Sequence, residues 1–148
     1  MSFVIGFKDT EDLMLAEKFK TKKALCEWLK ENKPILQEET GFEITDLQIA
    51  NDLLIGGVKI NSSFKVLIMP DFNFNDASLN FIKNELENQP ENCKYIAVVI
   101  VAESFSEDLC EYYKILRNYV RLVLPLYLKA DSNNNPVFDY PEIHRSDC

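Results

Sequence analysis

The chain has 148 residues, of which 47% are apolar and 27% are charged. This length and composition predict one ordinary globular domain and exclude a collagen, a coiled coil or a disordered chain. With 16 basic and 24 acidic residues, the net charge is −8. Because nucleic-acid affinity depends mainly on how many phosphates Lys and Arg neutralise, this charge disfavours nucleic acid as a partner. We predict a single domain over residues 1–130 and a polar turn with a C-terminal tail over 131–148.

The four cysteines, Cys26, Cys93, Cys110 and Cys148, stand far apart, and the chain has a single histidine. This spacing predicts reduced thiols and no zinc site. The longest apolar run, residues 95–102, is too short for a membrane helix, which needs about 20 residues. The N-terminus also lacks the pattern of a signal peptide. We therefore expect a cytoplasmic protein that does not use a membrane.

The first 40 residues are predicted to be mainly helical. Thr21 stands at an N-cap position, and apolar residues then recur at helical spacing. Pro is favoured at the first position of a helix and Gly just past the end, so a second short helix is expected before Gly41. The segments predicted here are a short edge strand at 3–7, a helix at 9–20, a helix at 22–32 and a helix at 34–40.

The hydrophobic period changes to that of a strand over residues 42–49. Two apolar segments follow, at 53–60 and 64–69, and the turn-forming triplet Asn61-Ser62-Ser63 separates them. We expect these segments to pair as a hairpin. The adjacent Gly56-Gly57 marks either a bulge in the first arm or a tight turn.

The second half of the chain alternates helices with strands. Asp76 is expected to cap a helix over 77–88. Residues 95–102 carry no polar side chain, which is typical of a central strand covered on both faces. A further helix is predicted over 107–118 and a further strand over 120–128.

These elements predict the α/β fold class. The strand at 64–69, the helix at 77–88 and the strand at 95–102 form a β-α-β unit, whose right-handed crossover places the helix against the sheet. Pro125 cannot donate a ladder hydrogen bond, so the last strand lies at an edge or bends there. We predict one three-layer domain with a mixed sheet of about five strands, antiparallel at its hairpin end, and helices on both faces.

The carboxyl ends of parallel strands form the usual ligand edge of such a sheet. Asp71 follows one predicted strand and Glu103 follows the next parallel strand. We therefore expect a ligand rim lined by Asp71, Asn73, Glu103 and Ser104. The alternative is that Asp71 and Glu103 are ordinary solvated loop acids near helix N-termini.

Two other groups of residues are weaker candidates. His144 is the first choice for a general base, but its polar, terminal neighbourhood favours an idle surface imidazole. Lys18, Lys20, Lys22 and Lys23 form a basic cluster that is more typical of a solvated face than of a phosphate site. The sequence contains no glycine-rich phosphate loop, no nucleophile elbow and no His-Glu-x-x-His motif.

The order of elements over residues 22–128, with the segments 51–55 and 98–107, resembles the PD-(D/E)xK nuclease-like fold. In that family, acids from a helix and two strands hold a divalent metal that activates water. The resemblance implies that Glu38 or Glu39 matches the helix acid and that Asp52 matches the first strand acid. The residues implied for a rearranged site are Glu39, Asp52, Asp71 and Glu103.

The third element of the family motif is missing from this chain. The strand that should carry an acid and a lysine ends Leu67-Ile68-Met69-Pro70-Asp71, with no lysine at the right offset. A metal would lose a ligand, and the attacking water would lose its orienting group.

The sequence therefore favours a non-catalytic interaction protein on a nuclease-like scaffold, such as an immunity protein or an inhibitory subunit, with no metal or other cofactor. Its expected partner is another protein with a basic surface, because acid-rich stretches would speed the capture of such a partner. The alternative is a nuclease with a rearranged site that uses Mg²⁺ or Mn²⁺. A sensor that binds a small ligand beside Asp71 and Glu103 is a third hypothesis.

Overall fold

The computed structural model describes residues 19–88, 94–105, 109–130 and 136–139. The elements in these ranges are α1 (Lys22–Glu31), α2 (Lys33–Thr40), β1 (Ile44–Ala50), β2 (Leu53–Val58), β3 (Asn61–Phe74), α3 (Asp76–Glu87), β4 (Lys94–Phe105), α4 (Leu109–Leu116), β5 (Leu122–Ala130) and β6 (Pro136–Asp139). The strand predicted at 3–7, most of the helix predicted at 9–20, and His144 lie outside the described residues.

All six strands belong to one sheet, and their spatial order follows the chain from β1 to β6. The first three strands form an antiparallel meander, whereas β3, β4 and β5 are parallel to one another. The last strand, β6, pairs antiparallel with β5. The predicted mixed sheet is therefore confirmed, with six strands instead of about five. The additional strand is β6, which lies in the region assigned to the C-terminal tail.

Alternation along β3 separates two hydrophobic cores. Val66 and Ile68 belong to the core that α1 and α2 cover, whereas Leu67 and Met69 belong to the core under α3 and α4. Successive strand residues point to opposite faces, so both layers of helices pack on the same central strands. Residues 97–102 of β4 are fully buried. The predicted central strand and the three-layer arrangement are confirmed.

The first two helices begin and end within one residue of the predicted bounds, 22–32 and 34–40. The Thr21 hydroxyl accepts a hydrogen bond from the Ala24 N–H at 3.1 Å, which caps α1. Pro34 lies in the first turn of α2. Gly41 ends that helix at φ 77, in the left-handed region that glycine adopts without a steric cost.

The β1–β2 connection is a two-residue turn formed by Asn51 and Asp52. Both residues have positive φ, 52 and 59 respectively. Such turns match the right-handed twist of the flanking strands, and Asn and Asp tolerate positive φ better than most residues. This turn places the Asp52 side chain at the same end of the sheet as the end of β3.

The predicted hairpin between the two apolar segments is confirmed as β2 and β3. Its turn consists of Lys59 and Ile60, and the triplet at 61–63 belongs to β3. Gly56 and Gly57 lie inside β2, so the tight-turn alternative is wrong. The pairing register with β3 shifts directly after Gly57, as expected for a bulge.

Pro125 occupies an interior strand, because β5 lies between β4 and β6. It stands in register with Ile100 of β4, whereas the β5–β6 pairing begins only at Tyr127. Among the described residues, Pro125 therefore has a strand partner on one side only. This local arrangement accommodates a residue without an N–H, although the strand as a whole is not an edge strand.

The β6 strand is attached to the first helical layer by aromatic packing. Phe138 lies 6.3 Å from Trp28, centroid to centroid, and Trp28 lies 5.8 Å from Phe19. Aromatic pairs at such distances contribute roughly 0.5–1.5 kcal/mol beyond the apolar area they bury. Phe138 therefore helps to attach β6 to the rest of the fold.

Two cysteines lie in the described ranges. Cys26 is a free thiol, fully buried in the core under α1 and α2. Cys110 in α4 is disulfide-bonded, so the expectation of reduced thiols is wrong for this residue. No helix in the described ranges has the length and apolarity needed to cross a membrane.

We expect Gly56→Ala to destabilise the fold by about 1–3 kcal/mol, because the added Cβ would overlap Cγ2 of Ile44 on β1. The measurement is the free energy of unfolding in urea. In an Ile44→Ala background that methyl group is absent, so the same glycine substitution should cost clearly less. Equal costs in the two backgrounds would show that the close approach does not explain the glycine.

Candidate functional site

A cavity of about 260 Å³ lies beside the carboxyl-terminal part of β3. Four parts of the chain meet there: the start of α1, the β1–β2 turn, β3 and the first turns of α3. The lining residues are Lys22, Asp52, Met69, Asp71, Asn75, Ala77, Ser78 and Phe81.

Asp71 is the buried acid of this cavity, with 6% of its surface exposed. It lies inside β3, which extends to Phe74 rather than ending at residue 69. Its Oδ2 accepts a hydrogen bond from the Ser78 hydroxyl at 2.5 Å, and its Oδ1 accepts one from the Phe72 N–H at 2.8 Å. The Lys22 Nζ lies 3.5 Å from Oδ1. Burial of a carboxylate is costly unless it is paired and hydrogen-bonded, and these three donors meet that need.

The capping box of α3 positions the Ser78 hydroxyl. The Ser78 N–H donates to Asn75 Oδ1 at 3.1 Å, and the Asn75 N–H donates to Ser78 Oγ at 3.2 Å. Because the hydroxyl accepts from Asn75, its single proton is available to Asp71. The predicted cap, Asp76, is therefore wrong by one residue. Asp76 instead accepts a hydrogen bond from the Tyr112 hydroxyl at 3.1 Å, which links α3 to α4.

Asp52 and Phe81 stand at the mouth of the cavity. The register of β2 on β3 pairs Leu54 with Ile68, so its continuation brings Asp52 level with Pro70, next to Asp71. Asp52 is exposed and forms no ion pair with a described residue. The Phe81 side chain is 41% exposed. The mouth therefore offers a free carboxylate beside an accessible aromatic ring.

Cys26 lies in the core close to this site, and the charges of Asp52 and Lys22 affect the pKa of its thiol. Burial and, to a lesser extent, the negative charge of Asp52 raise the pKa of the Cys26 thiol to about 12, and the positive charge of Lys22 opposes this shift. A thiol with such a pKa stays protonated at neutral pH, and a protonated thiol is a poor nucleophile and metal ligand. Cys26 is therefore a packing residue rather than a reactive group.

The structure divides the predicted ligand rim into separate parts. Asn73 and Ser104 are brought together, because β3 and β4 pair in register there and Ser104 Oγ donates to Asn73 Oδ1 at 2.9 Å. Asp71 stands in register with Ala102, whereas Glu103 is one residue further along β4 and is itself buried. Successive residues of a strand face opposite sides. Asp71 lines the cavity, and the described cavity lining does not include Glu103.

The residues implied by the nuclease resemblance are also only partly brought together. Asp52 and Asp71 share the cavity, whereas Glu39 lies in α2 and is not part of the lining described above. Within the described ranges, no group of three or more His, Cys, Asp or Glu side chains is placed to hold a metal ion. Of the predicted basic cluster, Lys22 forms the ion pair with Asp71 and Lys23 is exposed.

Sequence reasoning missed Asn75, Ser78 and Phe81. The spacing Asn75-Asp-Ala-Ser78 was a usable signal, since a capping box places a polar side chain three residues after the N-cap. Phe81 carried no comparable signal, because its exposure depends on which face of α3 packs against the sheet.

Comparisons with protein-family models, with curated proteins and with solved structures found no match. Both oxygens of the buried acid, Asp71, accept hydrogen bonds from internal donors, whereas the Asp52 carboxylate and the Phe81 ring are accessible.

We expect Asp71→Asn to lower the free energy of unfolding by about 1.5–3 kcal/mol, because an amide cannot accept both internal hydrogen bonds or pair with Lys22. Asp52→Asn is the matched control and should change stability by no more than about 0.5 kcal/mol, since Asp52 is exposed. Urea denaturation measures both variants. Equal effects of the two substitutions would contradict the structural role of Asp71.

A second expectation concerns alkaline pH. The folded state raises the pKa of Cys26 from 9.0 to about 12. The stability that this buried, neutral thiol contributes is therefore fully present below pH 9 and is lost as the pH rises towards 12. Above pH 9, the wild type should lose stability more steeply than Cys26→Ala, by up to about 1.4 kcal/mol per pH unit. Parallel curves of unfolding free energy against pH would argue against this.

Proposed function

We propose that this chain is a non-catalytic binding protein, of the immunity or inhibitory type, which captures a basic side chain of a partner protein at the Asp71 cavity. The observation that carries the proposal is the state of the Asp71 carboxylate. Both of its oxygens accept hydrogen bonds from internal donors, and the Lys22 ammonium lies beside one of them. An acid held in this way supports the structure and is poorly placed to bind a metal ion or to transfer a proton.

The mouth of the cavity suits a cationic side chain. Asp52 supplies an exposed carboxylate without an ion pair among the described residues, and Phe81 supplies an accessible ring. A guanidinium can form paired hydrogen bonds with a carboxylate. It is also attracted to the face of an aromatic ring by about 0.5–2 kcal/mol. A cavity of about 260 Å³ is small for a drug-sized ligand but has room for one side chain.

The overall charge favours the same kind of partner. A net charge of −8 would steer a basic protein towards the chain and speed the encounter. No cofactor belongs to this proposal. The cytoplasmic location remains a prediction from the sequence, and the disulfide of Cys110 does not favour it, since structural disulfides are rare in the cytosol.

The experiment is affinity capture from the cell of origin, followed by binding measurements with the purified partner. We expect one specific partner to be retained by the wild type. Its dissociation constant should rise at least tenfold for Asp52→Lys, because that change places a repelling charge at the mouth. Phe81→Ala should also weaken binding, through loss of the ring.

The matched control is Asp46→Lys. Asp46 is another exposed acid with positive φ, but it lies on β1 outside the cavity lining. Asp46→Lys makes the same change of charge without altering the mouth of the cavity, so the dissociation constant should rise only slightly. If both lysine variants weaken binding equally, the partner recognises overall charge, and the cavity is not the binding site.

A metal-dependent nuclease is the second candidate, and one observation favours it. Asp52 and Asp71 share one cavity at the end of a meander followed by a helix and a parallel strand. However, the Lys22 ammonium stands 3.5 Å from Asp71 Oδ1, and Ser78 and Phe72 hold the carboxylate. The residues present therefore do not fit a divalent metal ion, since an ion at Asp71 would have to displace this cation.

Calorimetric titration with Mn²⁺, combined with a cleavage assay on DNA and RNA, separates the two candidates. We expect no binding heat and no cleavage from the wild type. Binding heat together with cleavage, both abolished by Asp52→Ala and by Asp71→Ala, would replace the binding proposal with the nuclease.

A further inference from the structure

A second and larger cavity, of about 590 Å³, lies at the opposite end of the sheet. It is formed by the amino-terminal ends of β4 and β5, the neighbouring part of β3 and the turn between α4 and β5. Its volume is within the range of small-molecule sites, which is roughly 300–1,000 Å³. Its lining includes three cationic residues, Lys94, Arg117 and Arg121. It also includes three aromatic residues, Phe64, Tyr95 and Tyr119.

The charge of this cavity is opposite to that of the chain as a whole. Three of its lining residues are cationic and none is acidic, although the net charge of the protein is −8. Lys94, Arg117 and Arg121 form no ion pairs with described residues. The cavity is therefore a local positive region whose cations are available to an anion.

Arg117 is held in place by a tyrosine rather than by an acid. Its Nη1 donates to the Tyr113 hydroxyl at 2.9 Å, and its guanidinium lies 5.5 Å from the centroid of the same ring. These contacts orient the guanidinium and leave its charge uncompensated. A guanidinium that is already oriented loses less conformational entropy when it binds a phosphate.

The turn that carries Arg117 and Arg121 is well ordered by backbone hydrogen bonds. The N–H groups of Tyr119 and Val120 both donate to the Leu116 carbonyl, at 2.9 and 3.2 Å. Val120 is buried in the core under α3 and α4. The two arginines are thus fixed to the fold on either side of an anchored residue, so the cavity is largely formed before any ligand arrives.

The aromatic residues add apolar faces to the same cavity. Phe64 stands in register with Lys94 across β3 and β4, which places a ring next to a cation. The Tyr119 hydroxyl donates to Glu87 Oε1 at 2.7 Å, which fixes the position of the ring and engages the nearby acid. Planar ligands stack on such rings in offset or edge-to-face geometry.

We propose that this cavity binds a small ligand in which a planar aromatic ring carries a phosphate group, the chemistry of a nucleotide. The arginines and Lys94 bind the phosphate oxygens, since Arg forms paired hydrogen bonds with phosphate and Lys acts as a compact charge. The rings of Tyr95 and Tyr119, which both pack on the α3 and α4 side of the sheet, receive the aromatic part. A long nucleic acid would require a continuous basic track, which a chain of net charge −8 does not offer. This site is separate from the Asp71 cavity and does not depend on the function proposed there.

The probe is adenosine monophosphate, with adenosine and inorganic phosphate as the two partial ligands. Binding to the full chain is measured by calorimetry at low ionic strength and is located by backbone amide shifts in NMR spectra. We expect adenosine monophosphate to bind at least tenfold more tightly than either partial ligand. The amide shifts should be concentrated in residues 94–96 and 117–121.

Arg117→Gln and Arg121→Gln should each weaken adenosine monophosphate binding by about tenfold or more, because each removes a charge-assisted hydrogen bond. Lys30→Gln is the matched control, since Lys30 is an exposed cation on α1, and it should leave binding unchanged. Tyr119→Leu should lose affinity, because it removes a ring that receives the ligand. Thermal unfolding of each variant verifies that the fold is intact.

Three results would overturn the proposal. The first is the absence of adenosine monophosphate binding, and the second is binding that falls equally in Lys30→Gln and in the arginine variants. The third is binding of inorganic phosphate as tight as that of adenosine monophosphate, which would show that the rings take no part.

Discussion

The Asp71 carboxylate is the point at which the two helical layers and the sheet are joined. A charged group this deeply buried is tolerated only when donors replace the water it has lost. Here the donors come from three places: Lys22 at the start of α1, the backbone of β3, and Ser78 in the first turn of α3. The ends of these elements therefore have to stay in one arrangement, and the cavity beside them exists because they do.

The binding function proposed above rests on the same requirement. A catalytic carboxylate needs at least one oxygen free to meet a substrate, a water or a metal ion. In Asp71 both oxygens accept hydrogen bonds from internal donors, and Asp52 and Phe81 are the accessible groups to which the proposal assigns the contact with a partner.

The sheet also separates charge along its strands. At the carboxyl end of β3, an accessible acid stands beside an aromatic ring, whereas at the amino ends of β4 and β5 three cations surround a cavity lined by rings. The net charge of −8 agrees with the acidic end and does not describe the cationic end. Because the Debye length is about 8 Å at physiological ionic strength, a ligand at one end responds mainly to its local charges. Two chemically opposite ligands are thus compatible with one acidic domain.

Local patterns in the sequence determined most of the secondary structure and the class of the fold. Several features depend only on neighbouring residues, so they could be predicted without tertiary contacts. These are the N-cap of α1 at Thr21, the end of α2 at Gly41, the apolar face of α3 formed by Leu79, Ile82 and Leu86, and the apolar run of β4. Only the tertiary structure decided where the site residues stand. Strand register sets the extension of β3 through Asp71 and the separation of Asp71 from Glu103. Packing between distant segments sets the contacts of Asp71 with Lys22 and Ser78, the grouping of cations around Arg121, and the contact of β6 with Trp28. Such contacts are settled by which surfaces meet when the chain folds, and no local pattern of residues encodes that choice.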